Sequence, residues 1–112
     1  MNKSKYKQER SSHKEEINGF TEWLKKRHYA NDTIRPYTNY TAGYLAWLKQ
    51  QQIEETEATY NELLTYIDHC TTQGDGKTLI NRKLSSIRKY YDYLLYKGKA
   101  LKNPATGLFI RN

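Results

Sequence analysis

The chain has 112 residues, a net charge of +7 and eleven tyrosines, enough for one domain with its own core. No apolar run approaches membrane-spanning length, and the basic opening MNKSKYKQER lacks the hydrophobic segment of a signal peptide. The lone cysteine, Cys70, excludes an internal disulfide framework and suits a reducing compartment, so a cytoplasmic protein is expected. Charge is segregated: residues 1–14 carry +4, 15–76 carry −5, 77–97 carry +5 and 98–112 carry +3. Basicity held in the two ends and one helix suits a polyanion partner, although charge alone equally allows a plain solvated face.

In chain order, residues 1–14 are polar without apolar periodicity and read as a flexible basic arm. A first helix is predicted at about 15–28, where Ile17, Phe20 and Leu24 share a face flanked by Trp23. A second is predicted at about 32–51, with Ile34, Tyr37, Thr41, Tyr44, Leu45 and Leu48 inward. Pro36 is tolerated in a first helical turn, whose N–H groups have no intrahelical partner. It is therefore expected to fix the start of this helix, with Asn31 to Thr33 supplying the cap.

A third helix is predicted at about 60–73. Thr59 and Glu62 form a T-x-x-E capping box, Leu63, Ile67 and Cys70 point inward, and Gly74-Asp75-Gly76 ends it. The fourth, about 77–97, closes at Gly98, and NPATGLFIRN follows as a turn and an extended exit. Without a convincing strand or an internal repeat, the pattern predicts an all-α fold, a compact bundle of four main helices. The expected organisation is an arm at 1–14, a globular domain at 15–108 and the start of a linker at 109–112.

The fourth helix divides by angle, at about 100° per residue. Ile80, Leu84, Ile87, Tyr91, Leu94 and Leu95 fall on one stripe. Arg82 and Lys89 fall opposite, with Thr78, Ser85 and Ser86 around them, Asn81 at the edge, and Lys83 and Arg88 flanking the stripe. This outward face has no acid before Asp92, whereas a helix built only for solubility interleaves Glu with Lys. Hydroxyls, an amide and cations together suit phosphate oxygens, and the N–H groups of a helix N-terminus add to that.

Two stretches, FTEWLKKRHYANDTIRPYTNYTAGYLAWL and GDGKTLINRKLSSIRKYYDYLLYKGKALKNPATGL, resemble the SAM-like N-terminal, core-binding domain of phage-type integrases, the tyrosine recombinases. The resemblance covers most of residues 17–108. It is carried by F-x-x-W-L in the first helix, T-I-x-x-Y opening the second, T-x-N-R-x-L-S-x-I-R-x-x-Y-x-Y-L in the fourth, and N-P after it. It implies a SAM-like bundle that clamps duplex DNA at a recombination site together with a catalytic domain. Parts of the second and fourth helices would lie against the DNA. The motif positions so implied are Thr33, Asn81, Arg82, Ser85 and Arg88. The angular reading adds Thr78, Ser86 and Lys89, with Lys77 and Arg35 at its margin. Tyr37 matches the motif but lies on the apolar stripe and is counted as structural.

The family's catalytic arginines, histidines and tyrosine belong to the second domain, and this sequence stops where that domain would begin. The chain is therefore expected to bind DNA without cutting it. Implied partners are double-stranded DNA, the parent's catalytic domain and other protomers on DNA, in a bacterial cytoplasm and its nucleoid, with no membrane. No cofactor and no metal are expected, since His69 and Cys70 lack companions at ligand spacing. TTQGDGKT ends like a phosphate-binding loop but follows a helix and lacks the leading glycine. Asn31-Asp32-Thr33 and Asn39-Tyr40-Thr41 match the glycosylation pattern, which has no use in a cytoplasm. Most aromatics sit on or beside apolar stripes. Tyr93 and Tyr96 are the exceptions expected to point outward, where bases could stack. A helical protein-interaction module using the acidic segment Glu54–Glu57, or an RNA-binding domain, are the alternatives.

Overall fold

The computed structural model describes the backbone of residues 2–111 and the side chains of residues 14–111. The basic arm expected at 1–14 lies, except for Lys14, outside the described side chains. Four helices, α1 (Asn2–Lys26), α2 (Asn31–Gln50), α3 (Tyr60–Thr72) and α4 (Lys77–Tyr96), are joined by short connections, one containing a 3₁₀ turn at Glu55–Glu57. Among the described residues there is no strand, so the all-α bundle is as the periodicity predicts.

Local chemistry sets most of the helix ends. The α1–α2 turn passes through His28 in the left-handed region, φ 68°, where the Tyr29 N–H returns to the Leu24 carbonyl at 3.2 Å. At α3 the capping box forms, with the Thr59 N–H donating to Glu62 Oε1 at 2.7 Å. The Thr59 hydroxyl, which donates to the same oxygen, and then this N–H hold the Glu62 carboxyl below its ordinary pKa. Gly74, φ 96°, ends α3 while the Asp75 N–H reaches the Cys70 carbonyl at 3.0 Å. Lys83 on α4 then pairs with Asp75 at 2.5 Å and clips this loop to α4.

The start of α2 differs from expectation. Ala30 is the capping residue, without a side-chain cap, and its carbonyl accepts from the N–H groups of Thr33 and Ile34, each at 2.9 Å. Asn31 to Thr33 are already helical, so Pro36 falls in the second turn and not the first. Its missing N–H leaves the Asp32 carbonyl without the donor four residues on. Asp32 is exposed, so water can take that donor's place.

The core gathers around α4. Phe20 and Leu24 come from α1, Tyr44, Leu45 and Leu48 from α2, and Leu63, Tyr66 and Cys70 from α3, all buried. Cys70 is a free, buried thiol whose pKa burial raises. On α4 the buried set is Ile80, Leu84, Ser86, Ile87, Tyr90, Tyr91, Tyr93 and Leu94, an arc of about 180° by helical geometry. Tyr93, expected to point outward, is only 3% exposed, because α1 covers that side. Its ring lies 5.8 Å from Phe20 and 5.7 Å from Trp23. Leu95, expected inward, is 38% exposed because the buried arc is shifted toward α1 and away from it. Tyr96 points outward as expected, at 71%.

Where α2 crosses α4 the contact residues are small. Thr41 and Ser86 are both fully buried, and Thr41 Oγ1 donates to the Ser86 carbonyl at 3.5 Å. Beside this crossing lies a tyrosine network. Tyr91 donates to the Glu55 carbonyl at 2.7 Å, so Tyr44 is the donor to Tyr91 at 2.8 Å. Tyr90 donates to the Glu55 carboxylate. Burial raises all three phenol pKa values, which keeps the rings neutral. The network ties the 3₁₀ turn to α2 and α4 through Glu55, so this member of Glu54–Glu57 faces inward.

Tyr91→Phe removes two of these buried hydrogen bonds and strands the Tyr44 hydroxyl, at an expected cost of about 1–3 kcal/mol. Urea denaturation should show a lower midpoint at unchanged slope. An unchanged midpoint would mean the network adds nothing to stability.

Candidate nucleic-acid interface

With half of α4 buried, the C-terminal segment covers a further sector. The Asn81 side-chain amide is bonded in both directions to the backbone of Ile110, at 2.9 and 2.7 Å. Arg88 Nη1 donates to the carbonyls of Leu108 at 2.8 Å and Ala105 at 3.3 Å, and its Nη2 donates to Ser85 Oγ at 3.2 Å. Asn81 and Arg88 are therefore occupied within the fold, and neither offers a free outward side chain.

Ser86 needs a larger correction. It was expected on the outward face, but it is fully buried against α2 and its hydroxyl donates to the Arg82 carbonyl at 3.0 Å. Angle along one helix distinguishes a single apolar stripe. The crossing with α2 instead recruits the sector that contains Ser86.

A narrow strip remains. Lys77 and Thr78 are exposed on the first turn of α4, Arg82 is exposed one turn later, and Ser85 and Lys89 are half-buried. The Lys89 ammonium sits 5.6 Å from the centre of the Tyr29 ring. Arg82, Ser85 and the otherwise buried Ser86 form one wall of an open groove of about 370 Å³, and Asp32, Thr33, Pro36, Tyr37 and Tyr40 of α2 form the other. Arg35 is exposed and lines an adjoining groove with Asn39 and Tyr40.

The fold thus brings Thr33, Arg82 and Ser85 together, sets Arg35 beside them, and continues the strip through Thr78 and Lys89, with Lys77 exposed on the first turn of α4 at the strip's margin. Among the described residues, Arg35, Lys77 and Arg82 form no ion pair, whereas Lys83 and Lys99 do. Arg82 lines the first groove and Arg35 the adjoining one, and the acid lining both is Asp32. A concave cationic surface edged with hydroxyls suits a chain of phosphates.

Tyr40 and Pro36 also belong to the groove. Their spacing carried the signal: Thr33, Pro36 and Tyr40 stand at i, i+3 and i+7, one face of a helix. Among the described residues no group of three His, Cys, Asp or Glu side chains could hold a metal. None of the described helices is long and apolar enough to cross a membrane.

Residues 17–98 match the family described as phage integrase, N-terminal SAM-like domain. A protein of Caldanaerobacter subterraneus subsp. tengcongensis named as a tyrosine recombinase is 28% identical over 93 residues, 82% of this chain and 32% of the relative. Tyrosine recombinase XerC of Listeria innocua is 28% identical over 82 residues, 72% of this chain and 27% of the relative. Tyrosine recombinase XerD of Chlorobaculum tepidum is 29% identical over 83 residues, 74% of this chain and 27% of the relative. The chain therefore spans a third or less of the length of these relatives. No solved structure gives a significant match.

The two neighbouring serines should respond unequally to enlargement. Ser86→Leu overpacks the α2–α4 crossing, at an expected cost of about 1–3 kcal/mol, while Ser85→Leu, half-buried and losing the bond it accepts from Arg88, should cost less, about 0.5–1 kcal/mol. Denaturant midpoints compare them directly. Equal midpoints would mean that the two serines are packed alike and that Ser86 is not singled out by the α2–α4 crossing.

Proposed function

The chain belongs to the phage integrase N-terminal SAM-like domain family, and on that basis we propose that it is the duplex-DNA-binding domain of a tyrosine recombinase. It holds DNA at a recombination site as one half of a clamp. The other half is a catalytic domain that carries the strand-cutting chemistry, so this domain binds and does not cut. Its partners are double-stranded DNA, that catalytic domain and further protomers assembled on DNA, and its place is the bacterial nucleoid.

The single observation that carries this reading is the strip left on α4. Arg82 and Lys77 stand exposed without an acid partner among the described residues, on the helix most enclosed by the rest of the fold. Thr78, Ser85 and Thr33 supply hydroxyls at its sides, and Arg35 and Lys89 widen the positive field. Contacts of this kind go chiefly to phosphates, which position a protein on DNA without reading its sequence. Asn81, Ser86 and Arg88 are not part of the proposed contact set, because the fold already uses them.

A specific observation also favours a protein partner elsewhere on the surface. Tyr60 and Leu101 are exposed at a separate groove of about 720 Å³ between the 3₁₀ turn and the residues after α4. Assembly with other protomers is compatible with DNA binding through α4, and the two surfaces are separable by mutation.

Arg82→Ala should weaken binding to duplex DNA and reduce the slope of log K against log salt by about 0.9, one phosphate contact. Fluorescence anisotropy across a salt series measures both. An unchanged affinity and slope in Arg82→Ala and Lys89→Ala would remove the α4 strip as the DNA-binding surface.

A further inference from the structure

The segment after α4 is fastened to that helix along most of its length. Asn103 Nδ2 donates to the Arg88 carbonyl at 2.9 Å and to Asp92 Oδ1 at 3.0 Å, and Asn103 Oδ1 accepts from the Ala105 N–H at 3.0 Å. Ala105 is fully buried and Leu108 is 7% exposed. Gly107, φ 70°, makes a turn there that a side chain would resist. Arg88 grips the carbonyls of Ala105 and Leu108. At the far end, Asn81 Nδ2 donates to the Ile110 carbonyl and its Oδ1 accepts from the Ile110 N–H.

The attachment points run from position 92 back to position 81, so the segment travels antiparallel to α4, toward its N-terminus. The final tie is directional. A side-chain amide that both donates to and accepts from one backbone residue reproduces the bonding a neighbouring strand would offer. It therefore fixes the orientation of the peptide at Ile110 as well as its position. Arg88 contributes a planar fork in which one nitrogen serves two carbonyls, a geometry that other long polar side chains do not copy.

We propose that Asn81 and Arg88 are positioning residues that set the direction in which the chain leaves this domain. They hold residues 103–110 as a rigid exit strap, so that whatever follows Ile110 departs at the level of the first turns of α4. Lys77, Thr78 and Arg82 stand at the same level. The helix that carries the proposed DNA-facing strip thus also aims the outgoing chain. The relation to DNA rests on the reading given above, while the strap itself does not depend on it.

Amide hydrogen exchange of the full 112-residue chain, without DNA, tests the strap. Asn81→Ala should speed exchange at the Ile110 amide by roughly tenfold, the factor expected for one lost hydrogen bond, while amides inside α4 keep their protection. Unchanged exchange at Ile110 would overturn the proposal. If Asn81→Ala fails to fold, the unaltered chain decides: an Ile110 amide that exchanges at the rate of an unstructured peptide overturns the strap, and a protected one supports it. A salt series with duplex DNA separates positioning from contact. Arg88→Gln should leave the log–log salt slope as in the unaltered chain, whereas a slope reduced by about 0.9 would make Arg88 a phosphate contact and end the proposal. That last outcome would leave DNA binding itself intact. Absence of DNA binding in every variant would end the DNA reading and leave the exchange result to decide the strap.

Discussion

The enclosure of α4 is the constraint on which the rest of the molecule depends. α2 crosses it at Thr41 and Ser86, where only small side chains let the backbones approach. α1 covers the side of Tyr93 with Phe20 and Trp23. The 3₁₀ turn is bonded to it through Glu55, Tyr90 and Tyr91. The exit strap takes the sector of Asn81 and Arg88. A helix held on so many sides has little freedom left, and its remaining outward residues are presented on a rigid support. For the surface proposed to meet a stiff, regularly charged duplex, such rigidity would lower the entropy lost on binding.

The same enclosure decides how much of the structure could be read from sequence. Features written in local chemistry were legible. The capping box at Thr59 and Glu62, the glycine stops at Gly74 and Gly98, and most inward positions of α1, α2 and α3 need only neighbours within a turn or two, although Ile17, Tyr37 and Ile67 are half-buried and Tyr66 is buried beside them. α4 was legible as a helix but not in its full burial, because periodicity assigns one stripe and cannot count how many elements will pack around it. Ser86 and Tyr93 were misplaced for that reason, and Leu95 for its converse. Pro36 shows a different limit. A proline in the second turn requires a preceding carbonyl that water can reach, and exposure is a tertiary property.

Asn81 and Arg88 illustrate why the site was only partly legible. A polar side chain near the edge of a helix face looks available to a ligand. Whether a distant backbone segment takes it depends on where the chain travels after the helix ends. The carbonyls of Ala105 and Leu108, seventeen and twenty residues away from Arg88, carry no signature in the sequence of α4. Arg82, Thr33 and Ser85 were recovered as neighbours because the regular geometry of two crossing helices brought them together. The strip that survives is smaller than the face drawn from angles alone. Its cations outnumber the single groove acid, Asp32, which limits how closely a phosphate can approach that end of the groove.

The central claim is that this strip, and not the wider surface, meets duplex DNA. A titration of the folded chain with duplex, followed by amide and side-chain chemical shifts, tests it most directly. The account predicts shifts concentrated at Thr33, Arg35, Tyr40, Lys77, Thr78, Arg82, Ser85 and Lys89, with Tyr60 and Leu101 unmoved. Shifts centred on Tyr60 and Leu101, or none at all with saturating duplex, would contradict it.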